Sequence, residues 1–263
     1  MSEFLVKYFG VITAIVAVAA FLRPDVERWW RRYRGDLWFK GKDKLEIGFG
    51  QFGPHIGLFG SLISFKADFC VGDMDLKVVR LKDSKTHSFN WQLIGALKLS
   101  QEVLRDSDVS ASFWLRQDET RSVSLYFMDI ETRSEFEKLM EPLKSDFFKF
   151  CQTKGIVLNG IAPDMWVSTF EDYRNQSPIP ADVYHKLTRL HYWQEGSYQI
   201  ELTLRCIYPS KTKRVVGRFA ITAMAAETTE TNVISTMNVS LGSPKGYLPQ
   251  PILHLDWEEG EWA

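Results

Sequence analysis

The sequence predicts a mainly β protein, an antiparallel β-sandwich with a helical insertion, preceded by one N-terminal transmembrane helix. Three observations lead to this prediction. From Leu45 onward, apolar and polar residues alternate over much of the chain, which is typical of half-buried strands. Between residues 131 and 192 the apolar residues recur at spacings of three and four, which is typical of helices. Residues 8–22 form an apolar run without charge.

These patterns divide the chain into five segments. An anchor covers residues 1–24, a basic and aromatic juxtamembrane segment covers 25–44, and an acidic tail covers 246–263. The sandwich is expected from residues 45–130 and 193–245, with the helical insertion at 131–192 between its two parts. Two separate small β domains remain the alternative.

The N-terminal run has the length of a membrane span. Residues 4–22 carry Lys7 as their only charge, and about 17–25 apolar residues cross the roughly 30 Å of hydrocarbon in a bilayer. Arginines crowd the flank after the run, so the positive-inside rule predicts a cytoplasmic main domain. The residues expected at the inner leaflet, with the arginines on anionic lipid, are Arg23, Arg28, Trp29, Trp30, Arg31, Arg32, Arg34 and Trp38.

Three other interpretations of this run stay open. Ala17 and Ala19 resemble a signal-peptide cleavage site, which would give an exported domain released after Ala19. The run could also be a buried core helix, or a helix that lies in the interface without spanning.

The clearest strand signals come from two regions. Alternation around the turn at residues 82–85 predicts a β-hairpin, and Tyr198 to Cys206 reads as a half-buried strand. Thr231 to Leu241 is rich in Thr and Val and is also expected to be a strand. The pattern W-x-x-G-x-Y-x-I-x-L, from Trp193 to Leu202, resembles the beginning of a core strand in immunoglobulin-like sandwiches. This resemblance implies an immunoglobulin-like sandwich, in which a Gly-supported turn places a buried Tyr at the head of a core strand.

The insertion is expected to contain helices on both sides of a loop. The apolar spacing from Phe136 to Phe150 predicts a helix that Pro142 kinks or divides in two. Residues 162–180 are bounded by prolines and are expected to form a loop, and a short helix follows from Ala181 to about His191.

No motif predicts a catalytic, cofactor or metal site. The glycines of GFGQFG, residues 48–53, match a dinucleotide-binding pattern, but a strand follows them where a helix is required, so a strand and turn are expected. Asp73 and Asp75 fit the solvated face of a strand better than a cation site. The five histidines lack zinc-like spacing, and Cys70, Cys151 and Cys206 are isolated, as free thiols in a reducing compartment are.

Two functional hypotheses follow, in addition to the exported domain. A formal net charge of −1 argues against nucleic acid as a partner. The leading hypothesis is a non-catalytic, membrane-tethered cytoplasmic binding or scaffold module, with a possible protein partner. The alternative is a membrane-anchored enzyme or ligand-gated effector with a site between the helical insertion and the sheet, where Tyr173, His185 and His191 are candidates.

Overall fold

The structure, a computed structural model, describes residues 20–23, 26, 34–50, 53–95, 107–109, 111–243 and 250–258. The strands are β1 (Asp36–Gly50), β2 (Gly53–Phe65), β3 (Phe69–Arg80), β4 (Lys85–Gly95), β5 (Ser107–Val109), β6 (Phe113–Leu115), β7 (Thr120–Met128), β8 (Gly196–Tyr208), β9 (Lys211–Ile221) and β10 (Ile252–Trp257). The helices are α1 (Ile130–Thr153), α2 (Pro163–Gln176), α3 (Ile179–Leu190) and α4 (Ala223–Ser240).

Eight of the strands close into one antiparallel barrel. Their order around the barrel is β4-β7-β2-β1-β10-β9-β8-β3, and the pairing of β3 with β4 completes the ring. The short strands β5 and β6 pair with β4 and β3, respectively. The predicted immunoglobulin-like sandwich is therefore wrong. Two separate β domains are also wrong, because β3 pairs with β8 and β1 pairs with β10 across the helical segment.

The reason for this error is that alternation has the same period in a sandwich and in a barrel. It shows that one face of each strand is buried, but it carries no information about which strands become neighbours. Closure depends on the long-range pairing of β10 with both β1 and β9. A closed ring gives each strand two neighbours, so it removes the unpaired edges that an open sheet would expose.

The barrel interior is filled by side chains. On β8, Tyr198, Ile200, Leu202 and Leu204 are buried and point inward, as the alternation predicted. Apolar residues of the other strands meet them in one continuous core. Eight strands give an interior about wide enough to be filled in this way.

The two ends of the barrel differ. At one end, which we call the helical end, lie the β1–β2 hairpin, the Leu81–Ser84 turn and the beginnings of β8 and α4. At the opposite end, which we call the amino-terminal end, β1 begins at Asp36, β2 ends at Phe65 and the β8–β9 turn reverses the chain. The chain thus enters the barrel at the end opposite to the helices.

The helices form a second core against the helical end. Phe49 is the next-to-last residue of β1. Its ring packs edge to face on Phe136 of α1, with ring centroids 5.6 Å apart. Thr236 of α4 donates a hydrogen bond to the Phe49 carbonyl oxygen at 3.2 Å. Within this layer the Phe147 ring contacts Trp166, Phe170 and Tyr173.

Some of the predicted helices and strands are confirmed, and others are wrong. The hairpin of β3 and β4 and the short helix α3 are confirmed. Helix α1 continues through Pro142 as one helix, so the division into two is wrong, and the predicted loop at 162–180 contains α2. The predicted strand from Thr231 to Leu241 is also wrong, because residues 231–240 belong to α4 and Leu241 caps its carboxyl end. Buried Asn232, Val233, Thr236 and Met237 follow a helical spacing there, and tertiary packing overrides the β-propensity of Thr and Val.

The predicted anchor and juxtamembrane segment lie largely outside the described residues. Of residues 1–24, the structure describes 20–23, which are helical. In the described part of the chain, no helix combines the length and the apolar character needed to cross a bilayer. Strand β1 begins at Asp36, inside the segment assigned to residues 25–44.

All three cysteines are buried and free, as their isolation predicted. Burial raises the pKa of the Cys206 thiol to about 11, with a further contribution from nearby Cys70, and burial also raises the pKa of Cys151. Because all three side chains are shielded from solvent, we expect them to react with iodoacetamide at pH 8 only after unfolding. Mass spectrometry of native and guanidinium-treated protein measures this. Rapid alkylation of the native protein would contradict the prediction.

Candidate functional site

An open groove lies on the barrel wall beside the helical end. We call it the β9–β10 groove, and its volume is about 890 Å³, within the roughly 300–1,000 Å³ range of ligand pockets. Its walls come from β9, from the beginning of β10 and from the first turns of α4. Residues that line it include Ala220, Thr222, Met224, Thr228, Ile252 and His254.

The groove exists because two neighbouring strands separate. Three residue pairs join β9 to β10, from Gly217–Trp257 to Phe219–Leu255. Beyond Phe219, β9 continues to Ile221 along β8, whereas β10 follows β1 from Ile252 to His254. Each extension therefore has one edge paired in the barrel and its other edge turned toward the groove.

Exposed apolar side chains line the groove. Leu81, Met224 and Ile252 are 46%, 76% and 61% exposed, respectively, and all three lie along it. They come from three different elements: the β3–β4 turn, α4 and β10. A cluster of exposed large apolar groups beside a concave surface is typical of a binding site.

Polar groups of β9 and β10 also line the groove. The His254 ring lies between two carboxylates, with Nε2 2.9 Å from Asp256 Oδ1 and Nδ1 4.0 Å from Asp43 Oδ2. Arg218 Nε is 2.7 Å from Glu258 Oε1. These exposed polar contacts cost little to rearrange, so the side chains can turn toward a ligand's polar groups.

This geometry suits binding better than nucleophilic catalysis. A hydrolytic triad requires one imidazole nitrogen on a hydroxyl and the other on a carboxylate. In the described structure both nitrogens of His254 face carboxylates. Tyr198 also lines the groove. Its hydroxyl donates to the Gln194 carbonyl oxygen at 2.9 Å, and burial raises the pKa of that hydroxyl. Neither group is arranged to activate a nucleophile.

The candidates for an enzymatic site in the insertion do not converge. Tyr173 is buried in the helical core, where its hydroxyl donates to Asp146 Oδ2 at 2.9 Å. His191 lies 2.9 Å from the Thr229 hydroxyl, between α3 and α4, and burial lowers its pKa to about 4. His185 is exposed on α3. The first two are packing residues, and the structure does not bring the three into one cavity.

The other sequence signals have structural explanations. Gly48 and Gly50 lie in β1 and Gly53 begins β2 with a φ of +80°, so the expected strand is confirmed, while residues 51 and 52 between the two strands lie outside the described residues. Asp73 and Asp75 both pair with Arg205 on the outer face of the barrel. Over the described residues, no group of three or more His, Cys, Asp or Glu side chains could hold a metal ion.

The predicted membrane-interface residues are described only in part. Arg23 and Arg34 are helical, and Trp38 is an exposed residue of β1, whose indole donates to Asp36 Oδ2 at 2.5 Å. Arg28, Trp29, Trp30, Arg31 and Arg32 lie outside the described residues.

The sequence patterns do not predict the groove. One relevant signal is present: residues 252–257, ILHLDW, alternate apolar and polar side chains as a strand does, within the segment predicted to be an acidic tail. No pattern could show that this strand diverges from β9, because the divergence is a property of pairing.

Comparison with known proteins adds no relative to this description: no protein family, no curated protein and no solved structure matches the chain.

Proposed function

We propose that this chain is a non-catalytic, membrane-tethered binding module that holds an extended segment of a protein partner in the β9–β10 groove, with the barrel in the cytoplasm. The observation that carries the proposal is the separation of β9 from β10 beyond the Phe219–Leu255 pair. The separation creates a site between two strand edges instead of one closed wall.

Strand edges favour an extended polypeptide as the ligand. An added strand gains main-chain hydrogen bonds from an edge, while its alternate side chains enter pockets on the sheet. The groove offers edges from Ala220–Ile221 and from Ile252–His254 on its two sides. A peptide can therefore pair on either side without unfolding the barrel.

The apolar groups supply the affinity. A few anchor residues contribute most of the binding energy in protein interfaces, and polar groups around them mainly set specificity. Met224 of α4 and Ile252 of β10 are exposed large apolar groups that line the groove. We expect them to contact apolar side chains of the partner segment.

The sequence supports the proposed tether. The apolar residues 4–22 have the length of a bilayer span, and the arginines after them favour the cytoplasmic side. Because the chain enters the barrel at the amino-terminal end, the groove lies beside the end of the barrel that is farther from the point of attachment. A partner in the cytoplasm would reach it freely.

A peptide selection tests the groove. Short linear peptides displayed on phage are selected against the full chain in mild detergent, and affinities are measured by fluorescence anisotropy. We expect peptides with alternating apolar residues, and we expect Met224→Lys and Ile252→Lys each to weaken their binding about tenfold or more, the effect of a loss of about 1.4 kcal/mol.

The matched control is Val157→Lys, which also adds a charge at an exposed apolar side chain but lies in the helical layer away from the groove. It should leave affinity unchanged. Backbone N-methylation of the peptide should abolish binding, because strand addition needs its N–H groups. Peptides that bind all variants equally, or competition by fatty acids alone, would refute the proposed ligand.

Topology is tested separately. A reporter fused after Ala263 leaves β10 intact, where Trp257 packs over Gly41 and donates to the Lys42 carbonyl oxygen. We expect reporter activity in the cytoplasm and fractionation of the chain with membranes. A reporter active outside the cell, or a chain that stays dispersed without detergent, would refute the tether or its orientation.

A further inference from the structure

A second surface lies at the amino-terminal end of the barrel. We define the amino-terminal rim as residues 34–40, 64–70, 113–121 and 206–213, the segments that meet at this end. Contacts join them: the Lys66 amide donates to Asp118, and Lys211 Nζ donates to the Gly35 carbonyl oxygen at 2.7 Å. The rim therefore forms a continuous surface around the point where the chain enters the barrel.

Aromatic and aliphatic side chains are exposed on this rim. Among the Trp residues that the structure describes, those more than half exposed are Trp38 and Trp114, and both belong to the rim. Phe65 and Ile207 are exposed there as well. Trp is enriched where a protein meets the headgroup region of a bilayer, because one edge of its ring is apolar and the other donates a hydrogen bond.

The charge of the rim has the opposite sign to that of the helical layer. The rim contains seven Lys and Arg residues and four Asp and Glu residues. Helices α1–α4 with their connections, residues 130–190 and 223–240, contain eight basic and eleven acidic residues. A protein with this polarity is attracted to an anionic surface by its amino-terminal end.

Chain length keeps this rim near the bilayer. The predicted span ends at Leu22 and β1 begins at Asp36. The connecting residues reach at most about 50 Å when fully extended and about 20 Å when helical. An anchored chain therefore holds the rim at a high local concentration beside the lipid.

We propose that the amino-terminal rim docks on the anionic inner leaflet through its exposed aromatic and basic side chains, which orients the β9–β10 groove toward the cytoplasm. This inference rests on the proposed tether and goes beyond it, because a tether alone allows any orientation of the barrel.

The test measures which end of the barrel touches lipid. The full chain is reconstituted in vesicles of phosphatidylcholine with phosphatidylserine, and an environment-sensitive fluorophore is attached at Ser210→Cys on the rim or at Val157→Cys in the helical layer. The native cysteines are buried, so labelling is selective for the new ones. We expect brominated lipids to quench the fluorophore at position 210 and to leave the one at 157 bright.

Charge variants test the attraction. Lys66 and Arg116 are exposed on the rim. We expect Lys66→Gln and Arg116→Gln each to lower the equilibrium constant for contact between the rim and the lipid surface roughly fivefold. This is the effect of removing one basic residue near an anionic surface. The controls Lys138→Gln and Lys149→Gln, on exposed positions of α1, should change nothing. Omission of phosphatidylserine should act like the rim variants.

The outcomes separate the rim from the tether. Vesicle flotation reports the tether, and quenching reports the rim. A chain that floats with vesicles but shows equal or no quenching at the two positions overturns the docking and leaves the tether standing. A chain that does not float overturns both. Quenching at 210 that is unaffected by the rim variants and by omission of phosphatidylserine overturns docking on an anionic surface.

Discussion

Trp193→Ala is expected to destabilise the protein by about 3–5 kcal/mol, the usual effect of truncating a large buried aromatic side chain. Trp193 is 1% exposed and lies at the helical end of the barrel. Its ring stacks on Phe89 at a centroid distance of 5.8 Å, and its indole N–H donates to the Gly48 carbonyl oxygen at 3.2 Å. The substitution would leave a cavity and would remove the indole hydrogen bond to the Gly48 carbonyl oxygen.

Guanidinium unfolding followed by circular dichroism measures this effect. Trp193→Phe should lie between wild type and Trp193→Ala, because it keeps an aromatic ring and loses the hydrogen bond, which is worth about 1 kcal/mol. Trp114→Ala removes the same atoms from an exposed site and should cost far less. Equal losses for Trp193→Ala and Trp114→Ala would show that Trp193 does not support the barrel.

Acidification from pH 6.5 to 4 is expected to remove about 3 kcal/mol of stability through His191 alone. Burial lowers the pKa of this ring from its usual 6.5 to about 4. The unfolded chain therefore takes up a proton in this range and the folded chain does not. The contribution of the neutral His191 ring to the free energy of unfolding is fully present above pH 6.5, and it is lost as the pH falls toward 4.

The hydrogen bonds of His191 explain why the neutral ring fits. The Thr229 hydroxyl donates to the Ala226 carbonyl oxygen at 2.8 Å, so it accepts from His191 Nε2 at 2.9 Å. The ring thus carries its proton on Nε2, and a second proton would create a charge in the buried site. Burial also lowers the pKa of His87, which adds to the loss in the same direction.

Unfolding curves at several pH values test this prediction. His191→Gln keeps a donor for Thr229 and cannot titrate, so its stability should fall less steeply than that of wild type below pH 6.5. His185→Gln changes an exposed histidine of the same layer and should keep the wild-type pH dependence. An unchanged slope in His191→Gln would contradict the assignment.

The turn expected after Trp193 is present in the structure, although the fold that the resemblance implies is not. The structure contains the expected turn, with Gly196 at a φ of +144° and Tyr198 buried at the head of β8. The Tyr198 hydroxyl accepts a hydrogen bond from the Gln194 amide and donates one to the Gln194 carbonyl oxygen. The same turn, however, introduces a strand of a closed barrel. A motif of ten residues specifies a local geometry and leaves the topology open.

The sequence by itself determined the β character of the chain, the β3–β4 hairpin, the inward face of β8, the helix α3 and the burial of its cysteines. These features depend on alternation, turn residues and polarity within a few positions, where local physics dominates. The tertiary structure alone decided the closure of the barrel, the helical state of residues 231–240 and the divergence of β10 from β9. Those features depend on contacts between residues that are far apart in the sequence. A short-range pattern of residues does not determine which strands pair with each other.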